Sequence, residues 1–262
     1  MMLSPLRKSI VLCSSAIALS LLAYTAQATD LPGVQNLNFV NYTGSAPKGY
    51  FTDVDPVGWT GGTGLIFVDA PGTADNGSYL SVYGPFPNSP VAGNFVEADG
   101  NPMFESGFNQ VITGLTIGQT YTLSFYQAAG QQQGFSGATT EQWAVSLGTG
   151  SLGINGAGNP ADLTDATADT VLTNLMSTPS GGVSPWQYVT VNLTADSTTD
   201  TLSFLAWGDG GSTVNLPPIV FLAGVDAPDV LPEPASLALF GIGLAGFIAS
   251  GMRRRSKRNA AV

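Results

Sequence analysis

Apolar and polar residues alternate in several stretches in the middle of the chain. The clearest covers residues 120–126, where Tyr121, Leu123 and Phe125 share one face and polar side chains take the other. Alternation with a period of two is typical of a β-strand with one buried face. The same pattern predicts three more strands, at residues 142–147 with Trp143, Val145 and Leu147 inward, at 187–193 with Val189, Val191 and Leu193 inward, and at 201–207 with Leu202, Phe204 and Ala206 inward.

A wholly apolar strand is predicted at residues 219–222, directly after Pro217 and Pro218, where it would close the domain. Helical periodicity is weak between the two ends of the chain. Its single candidate, residues 161–176, is rich in Thr and Asp and is equally compatible with a loop and a strand at 170–175. Several short strands separated by turns, without a long helix, favour one antiparallel β-sandwich over residues 29–225.

The N-terminal end reads as an export leader. Arg7 and Lys8 precede an apolar run over residues 10–23, and Ala26 and Ala28 supply the small residues that a signal peptidase recognises. Residues 1–28 are therefore predicted to be a signal peptide that is cleaved after Ala28. The single cysteine, Cys13, lies in this leader, so the exported domain is expected to fold without disulfides.

The C-terminal end reads as a membrane segment. Residues 235–252 are apolar and uncharged and are followed by a basic tail, residues 253–262. Their length and flank match a single transmembrane helix with a cytoplasmic tail. The linker at residues 226–234 contains two prolines near its end, which favour an extended backbone just outside the bilayer that a protease can bind as a strand.

The order of Pro-Glu-Pro, apolar helix and basic cluster resembles the PEP-CTERM sorting signal of Gram-negative bacteria that make exopolysaccharide. Leu231 stands where that family more often has Val. The resemblance implies sorting to the cell surface or extracellular matrix and processing by an exosortase-type membrane enzyme. The residues that carry the signal are Pro232, Glu233, Pro234, Arg253, Arg254 and Arg255.

The net charge of the exported segment restricts the classes of molecule that it can bind. Lys48 is the only basic residue between residues 29 and 230, while seventeen of the eighteen acids lie there, so this segment has a formal charge of −16. Phosphate binding needs clustered Lys and Arg, so nucleic acid and anionic lipid are excluded as partners of the domain. Neutral polymers or divalent cations fit better, although the charge also serves solubility outside the cell.

A second resemblance covers the exported domain. The phrase from Gln110 to Phe125 is similar to the core hairpin of galactose-binding-like jelly rolls, which include many carbohydrate-binding modules. Phrases near Phe39, Trp59 and Trp186 follow the same order along the chain. Members often end in Leu-Asp-Asn/Asp-Val, whereas this chain has Leu, Ala, Gly and Val at residues 222–225. The resemblance implies an all-β jelly roll, while the missing acids leave its usual calcium role unsupported.

Catalytic chemistry is restricted by the residues that are missing. The chain has no histidine, and its one cysteine lies in the leader, so Ser-His-Asp triads, Cys-His dyads and histidine-ligated metals are excluded. A glycosidase needs only two carboxyl groups, for which Glu97, Glu105 and Glu141 are available. Glu97 and Glu105 are predicted to lie in a loop, and nothing places a second acid opposite them. We therefore predict a protein that is not an enzyme.

Glycan binding calls for exposed aromatic rings that stack on sugars and for amides that bond to hydroxyls. Trp59 lies among glycines, and Trp207 lies on the phase opposite Phe204 beside a glycine-rich loop, so both could be exposed. Tyr83 flanks another turn, and Gln110 is similar in position to a glutamine of the jelly-roll pattern. The predicted glycan-binding residues are Trp59, Tyr83, Gln110 and Trp207. For each of them the alternative is a side chain that plugs the end of the sandwich.

A structural calcium ion is compatible with three groups of polar residues: Asp53 and Asp55; Asp99 and Asn101; Asp162, Asp165 and Asp169. The same residue types are ordinary in turns, so the metal ligands stay unassigned. The sequence as a whole predicts an exported matrix or cell-surface protein that binds exopolysaccharide or another glycan. The alternatives are a structural matrix protein without a ligand and, least favoured, a glycan-cleaving enzyme.

Overall fold

The computed structural model describes residues 28–226 apart from 45–47, 63, 72–79, 105, 151, 155–162, 165–168, 210–213 and 215. The predicted leader up to residue 27, most of the linker, the apolar segment at 235–252 and the basic tail lie outside the described residues, so those expectations stay predictions. Within the described ranges, no helix has the length and apolar character needed to cross a bilayer.

Two β-sheets form the domain. The first contains, in spatial order, β1 (Thr29–Asp30), β7 (Thr120–Gln131), β15 (Pro218–Ala223), β5 (Phe95–Asp99), β4 (Ile66–Asp69) and β2 (Gly49–Tyr50), with β13 (Val183–Thr194) also paired to β7. The second contains β11 (Asp169–Leu172), β8 (Thr139–Gly148), β14 (Thr199–Gly208), β6 (Gly107–Thr113) and β3 (Thr60–Gly61), with β12 (Met176–Thr178) also paired to β8. The strand pairs are antiparallel except for β1 with β7. The predicted antiparallel jelly-roll sandwich is confirmed.

The remaining described elements are short. A hairpin joins β9 (Gly153–Ile154) to β10 (Leu163–Thr164), α1 covers Phe51–Val54, and a single 3-10 turn covers Pro102–Phe104. The region predicted as either helix or loop at residues 161–176 is not helical where the structure describes it. It contributes β10, β11 and the start of β12 instead, so the strand begins at Asp169 rather than at residue 170.

The four alternating stretches are all strands, and their apolar faces point inward as predicted. Tyr121, Leu123 and Phe125 belong to the core between the sheets, as do the inward residues of β8, β13 and β14. Successive side chains of a strand point to opposite faces, so a period-two pattern indicates that one face is packed in the core. Each of these strands could therefore be predicted from its own sequence alone.

One expectation about strands is confirmed and one needs correction. The apolar segment at residues 219–222 forms β15, which is the last described strand along the chain, as predicted, and lies inside the first sheet between β7 and β5. Glu97 does not lie in a loop, because it occupies the middle of β5, opposite Phe67 and Phe221, and is fully buried. Both faces of β5 are covered, so its sequence lacks the alternation that would have revealed it.

The main core lies between the sheets and is rich in aromatic rings. Phe108 and Phe204 stack with ring centroids 5.0 Å apart, and Trp143 meets both rings edge-on. Phe39, Phe51 and Trp59 close the cluster at the edge formed by β3 and β6. Trp143 is fully buried, as its inward phase predicts, and its indole N–H donates to the carbonyl oxygen of Phe221 (3.1 Å) in the facing sheet.

A second apolar cluster covers the outer face of the first sheet. Leu80 and Val82 are buried against Phe95 and Phe221, and Phe86 packs on the same group. Trp186 lies beneath this segment, and its indole N–H donates to the carbonyl oxygen of Pro87 (2.9 Å). Residues 80–92 therefore act as a strap that shields β4, β5 and β15 from solvent.

The two ends of the sandwich differ. At the first, which we call the carboxylate end, β5, β7 and β14 finish while β8, β13 and β15 begin. At the opposite end, the exit end, the chain leaves the domain at Asp226. β1 also lies at the exit end, beside the first residues of β7. Both hydrophobic cores are formed by residues between Leu31 and Val225, so this part of the chain contains what it needs to fold.

Candidate functional site

A row of polar side chains crosses the outer face of the second sheet. The register pairs Thr170 with Ser146, Ser146 with Ser203, Ser203 with Asn109, and Asn109 with Thr60. Each of the strands β11, β8, β14, β6 and β3 thus contributes one residue, and each residue has the phase opposite to its strand's core residues. With about 4.8 Å between neighbouring strands, the row is about 19 Å long. We call these five residues the polar ladder.

The middle of the polar ladder has unused hydrogen-bonding capacity. The hydroxyl oxygens of Ser146 and Ser203 are buried and have no hydrogen-bond partner among the described residues. Leaving a buried polar group unpaired costs about 1–3 kcal/mol. Thr60 and Thr170, at the two ends of the ladder, are exposed, and Asn109 is half-buried. Ser146 and Ser203 are 0% and 2% exposed, so the members of the ladder that a ligand can contact directly are Thr60, Asn109 and Thr170.

Trp207 lies on this outer face, in the phase that the sequence predicts, but it is not exposed. It is 6% exposed and packs with Ala144, Leu152 and Leu205 in a small apolar cluster. Leu152 precedes the β9–β10 hairpin, and its position over β8 and β14 covers the indole. The expectation of a free tryptophan platform at Trp207 is therefore wrong.

Trp59 and Gln110 are also interior residues. Trp59 is 4% exposed, its ring lies between Phe39 and Phe108, and its indole N–H donates to the carbonyl oxygen of Asn36 (3.3 Å). The Gln110 amide accepts from the backbone N–H of Gln35 (2.7 Å) and donates to the carbonyl oxygen of the same residue (3.3 Å). The glycines around Trp59 suggested an exposed loop, but these contacts show that both side chains anchor the N-terminal segment to the core.

Tyr83 lies away from the other predicted site residues, at the carboxylate end. It is half-buried, and its hydroxyl donates to the carbonyl oxygen of Phe135 (3.0 Å). The structure therefore does not bring Trp59, Tyr83, Gln110 and Trp207 together into one platform. The polar ladder was missed because each of its residues looks like an ordinary outward position, and only strand register aligns them.

Buried carboxyl groups gather at the carboxylate end. Asp99 ends β5, Glu141 lies near the start of β8, and Asp209 follows β14. The pKa of Asp99 is raised to about 7, mainly by burial and to a smaller extent by the Asp209 carboxylate, against the lowering effect of a hydrogen bond from the N–H of Asn101 (2.8 Å). The pKa of Asp209 is itself raised by burial.

Glu141 has a similar environment in the other sheet. Burial raises its pKa to about 7, against hydrogen bonds donated by the hydroxyls of Thr139 and Thr178 (2.9 Å for Thr178), and the Asp209 carboxylate raises it as well. Asp99 and Glu141 are 1% and 0% exposed, respectively. These side chains can hold protons near neutral pH, but a polymeric ligand outside the domain does not reach them.

The predicted calcium groups mostly serve as turn residues. The Asp55 carboxylate accepts from the hydroxyl of Thr43, and Asp169 accepts from the backbone N–H of Thr194 (2.7 Å). Asp99 and Asn101 accept from backbone N–H groups two residues further on. Asp162 and Asp165 lie outside the described residues. Across the described part of the chain, no three Asp, Glu, His or Cys side chains lie close enough together to hold a metal ion.

The comparisons with known proteins separate the two parts of the chain. The PEP-CTERM protein-sorting motif matches residues 230–255, which indicates export and processing by an exosortase-type enzyme. No curated protein sequence matches the chain.

The domain resembles solved β-sandwich structures at low identity. One is the CBM22-2 xylan-binding domain from Paenibacillus barcinonensis Xyn10C, with 14% identity, 69% of this chain and 98% of that chain covered, and a TM-score of 0.37. Another is the K3 cleaved adhesin domain of Lys-gingipain from Porphyromonas gingivalis, with 17% identity, 68% and 95% coverage and a TM-score of 0.35. A third is TmCBM61 in complex with β-1,4-galactotriose, with 12% identity, 74% and 94% coverage and a TM-score of 0.33. Similarity at this level does not assign a ligand.

Proposed function

We propose that this protein is an exported cell-surface or extracellular-matrix component whose β-sandwich binds exopolysaccharide or another glycan along the polar ladder. The observation that carries the proposal is the alignment of five hydroxyl and amide side chains across five of the six strands of the second sheet, of which Thr60, Asn109 and Thr170 are accessible to a ligand. Such side chains pair with sugar hydroxyls, and the row has the length of a short oligosaccharide.

Apolar side chains next to the ladder complete the match to a sugar, which has both polar and apolar surfaces. Val111 follows Asn109 by two residues on the same face of β6 and is 59% exposed. Leu172 follows Thr170 by two residues on the same face of β11 and is 46% exposed. Because the exported segment contains Lys48 as its only base, an anionic polymer would be repelled. We therefore expect a neutral glycan.

The burial of the carboxyl groups supports binding rather than hydrolysis. Asp99 and Glu141 have the raised pKa that a general acid needs, but their side chains are covered, whereas a glycosidase places both carboxyl groups against the substrate. The proposed cell-surface location rests on the sorting motif, and the predicted helix at residues 235–252 would tether the protein to the membrane before processing.

The test is a glycan array and a host-exopolysaccharide pull-down with residues 29–226. The double variant Asn109→Ala, Thr170→Ala should lose about tenfold or more in affinity. Its matched control is Asn192→Ala, Thr190→Ala, which removes the same residue types from exposed positions on β13 of the other sheet and should bind like the original. If the folded domain binds no glycan, the structural matrix role replaces this proposal. Release of shortened sugars would instead indicate a glycan-cleaving enzyme.

A further inference from the structure

A groove lies where the chain leaves the domain. It has a volume of about 420 Å³ and lies between the segment at residues 36–41 on one side and Val91 and Ala92 on the other, with residues 224–226 along it. The backbone N–H of Val225 donates to the carbonyl oxygen of Leu37 (2.9 Å), which joins the last strand to the first wall. We call this the exit groove.

Hydrogen bonds hold the first wall of the exit groove in one conformation. The Asn36 amide donates to the carbonyl oxygens of Asn41 (2.7 Å) and Val57 (3.1 Å) and accepts from the N–H of Asn41 (3.1 Å). The Asn94 amide donates to the carbonyl oxygen of Phe39 (2.9 Å), whose ring is fully buried. Phe39 has a φ of +54°, which is costly for a bulky residue and persists only where surrounding contacts impose it.

Asn38 ties the two walls together, since its amide donates to the carbonyl oxygen of Ala92 (3.3 Å). The exit groove is therefore a preformed surface rather than a loose loop. Preformed surfaces bind with less loss of conformational entropy than mobile ones do.

The surface around the exit groove exposes large apolar side chains. Leu37, Val40, Tyr42 and Val57 are 36%, 42%, 37% and 45% exposed, and hydrogen bonds between residues 36, 41 and 57 join the two backbone segments that carry them. A cluster of exposed apolar residues at a rigid position is typical of a protein-binding surface. Two acidic residues also lie close together at the groove, Asp30 and Asp226. The pKa of Asp226 is raised by burial and, in addition, by the Asp30 carboxylate. Because both side chains are acidic, an anionic membrane surface is a poor partner.

The position of the sorting motif identifies the kind of partner. The matched motif begins at residue 230, four residues after Asp226 at the edge of the groove. Four residues of fully extended chain span about 14 Å at most. An enzyme that binds the first residues of the motif is therefore held within about 14 Å of the exit groove, which is short compared with the width of a protein domain.

We propose that the exit groove and its four apolar neighbours form a docking surface for the exported face of the membrane enzyme that processes the sorting motif. This inference rests on the proposed sorting function and adds a contact outside the motif itself. The apolar side chains and the exposed Asn41 would pack against that enzyme, which would position the linker for cleavage.

The test follows processing of the full-length protein in a host that carries an exosortase-type enzyme, by immunoblot of a pulse-chase series. The double variant Leu37→Glu, Val40→Glu should be processed about fivefold more slowly or worse, because both changes place charge on the docking surface. The matched control is Met103→Glu, which adds the same side chain at an exposed position of the carboxylate end and should be processed at the original rate.

A second variant, Pro232→Ala, Glu233→Ala, separates this inference from the proposed function. If the unmodified protein is processed no faster than this motif variant, the proposed sorting function is wrong. If the motif variant is blocked while Leu37→Glu, Val40→Glu keeps the original rate, the docking surface is overturned. Two further results would also overturn the docking surface. If residues 29–226 bind phosphatidylcholine vesicles and Leu37→Glu, Val40→Glu does not, the surface binds lipid. If residues 29–226 form a dimer and the variant does not, the surface binds a second copy of the domain.

Discussion

Raising the pH should destabilise the domain, because Asp99 and Glu141 must give up protons while they remain buried. The pKa of each is raised to about 7 in the folded state, from ordinary values of 3.8 and 4.5. Between about pH 4 and pH 7 the folded state therefore holds protons that the unfolded chain has released. The free energy of unfolding falls as the pH rises through this window and levels off above it.

The expected size of the effect is large for a domain of this length. A rise in pKa from 3.8 to about 7 corresponds to about 4 kcal/mol for Asp99, and a rise from 4.5 to about 7 corresponds to about 3 kcal/mol for Glu141. Asp209 interacts with both groups, so the two contributions are coupled and are not additive. Typical domains have a total stability of only about 5–15 kcal/mol.

Urea unfolding of residues 29–226, followed by tryptophan fluorescence at several pH values between about 4.5 and 8, measures this directly. Glu141→Gln and Asp99→Asn keep the side-chain shape without a titrating group. Each should therefore reduce the dependence of the free energy of unfolding on pH and be more stable than the original protein at about pH 8. Asp53→Asn, at an exposed position, should keep the original slope. Stability that rises with pH, or a Glu141→Gln slope equal to the original, would refute the reasoning.

Three further changes test the packing. Phe204→Ala removes a ring that stacks on Phe108 and should lower the free energy of unfolding by about 3–5 kcal/mol; a loss below about 1 kcal/mol would contradict the core described above. Gln110→Leu breaks both hydrogen bonds to the backbone of Gln35 and should cost about 1–3 kcal/mol without weakening glycan binding, whereas weaker binding at unchanged stability would restore its predicted ligand role. Gly208→Ala would overlap the ring of Pro218 and should cost about 1–3 kcal/mol, so an unchanged urea midpoint would count against this packing.

The strands that the sequence predicts are those whose residue types alternate. In β13 and the first half of β7 the burial alternates as well, because one face packs on the other sheet. In β8 and β14 both faces are buried over most of the strand, and the alternation comes from polar residues such as Ser146 and Ser203 on the outer face. β5 was missed because the strap at residues 80–92 buries its outer face as well. A local pattern cannot report cover that comes from a distant segment.

The candidate site was only partly predictable. The outward phase of Trp207 and the outward positions of the polar ladder follow from the strand periods. The burial of Trp207 depends on Leu152, and the burial of Trp59 depends on the loop that contains Asn36 and Phe39. These contacts join residues far apart in the chain, so glycine-rich flanks around a tryptophan could not distinguish an exposed ring from a core ring.

The sequence by itself determined the all-β class, the inward faces of the alternating strands, the acidic charge of the exported segment, the absence of histidine and the sorting motif. These depend on residue type and local period, which need no partner segment. Only the tertiary structure decided the polar ladder, the raised pKa values of Asp99 and Glu141, and the exit groove. Each of these requires strand register or long-range burial to bring together residues that are separate in the chain, and register is set by the packing of the whole sandwich.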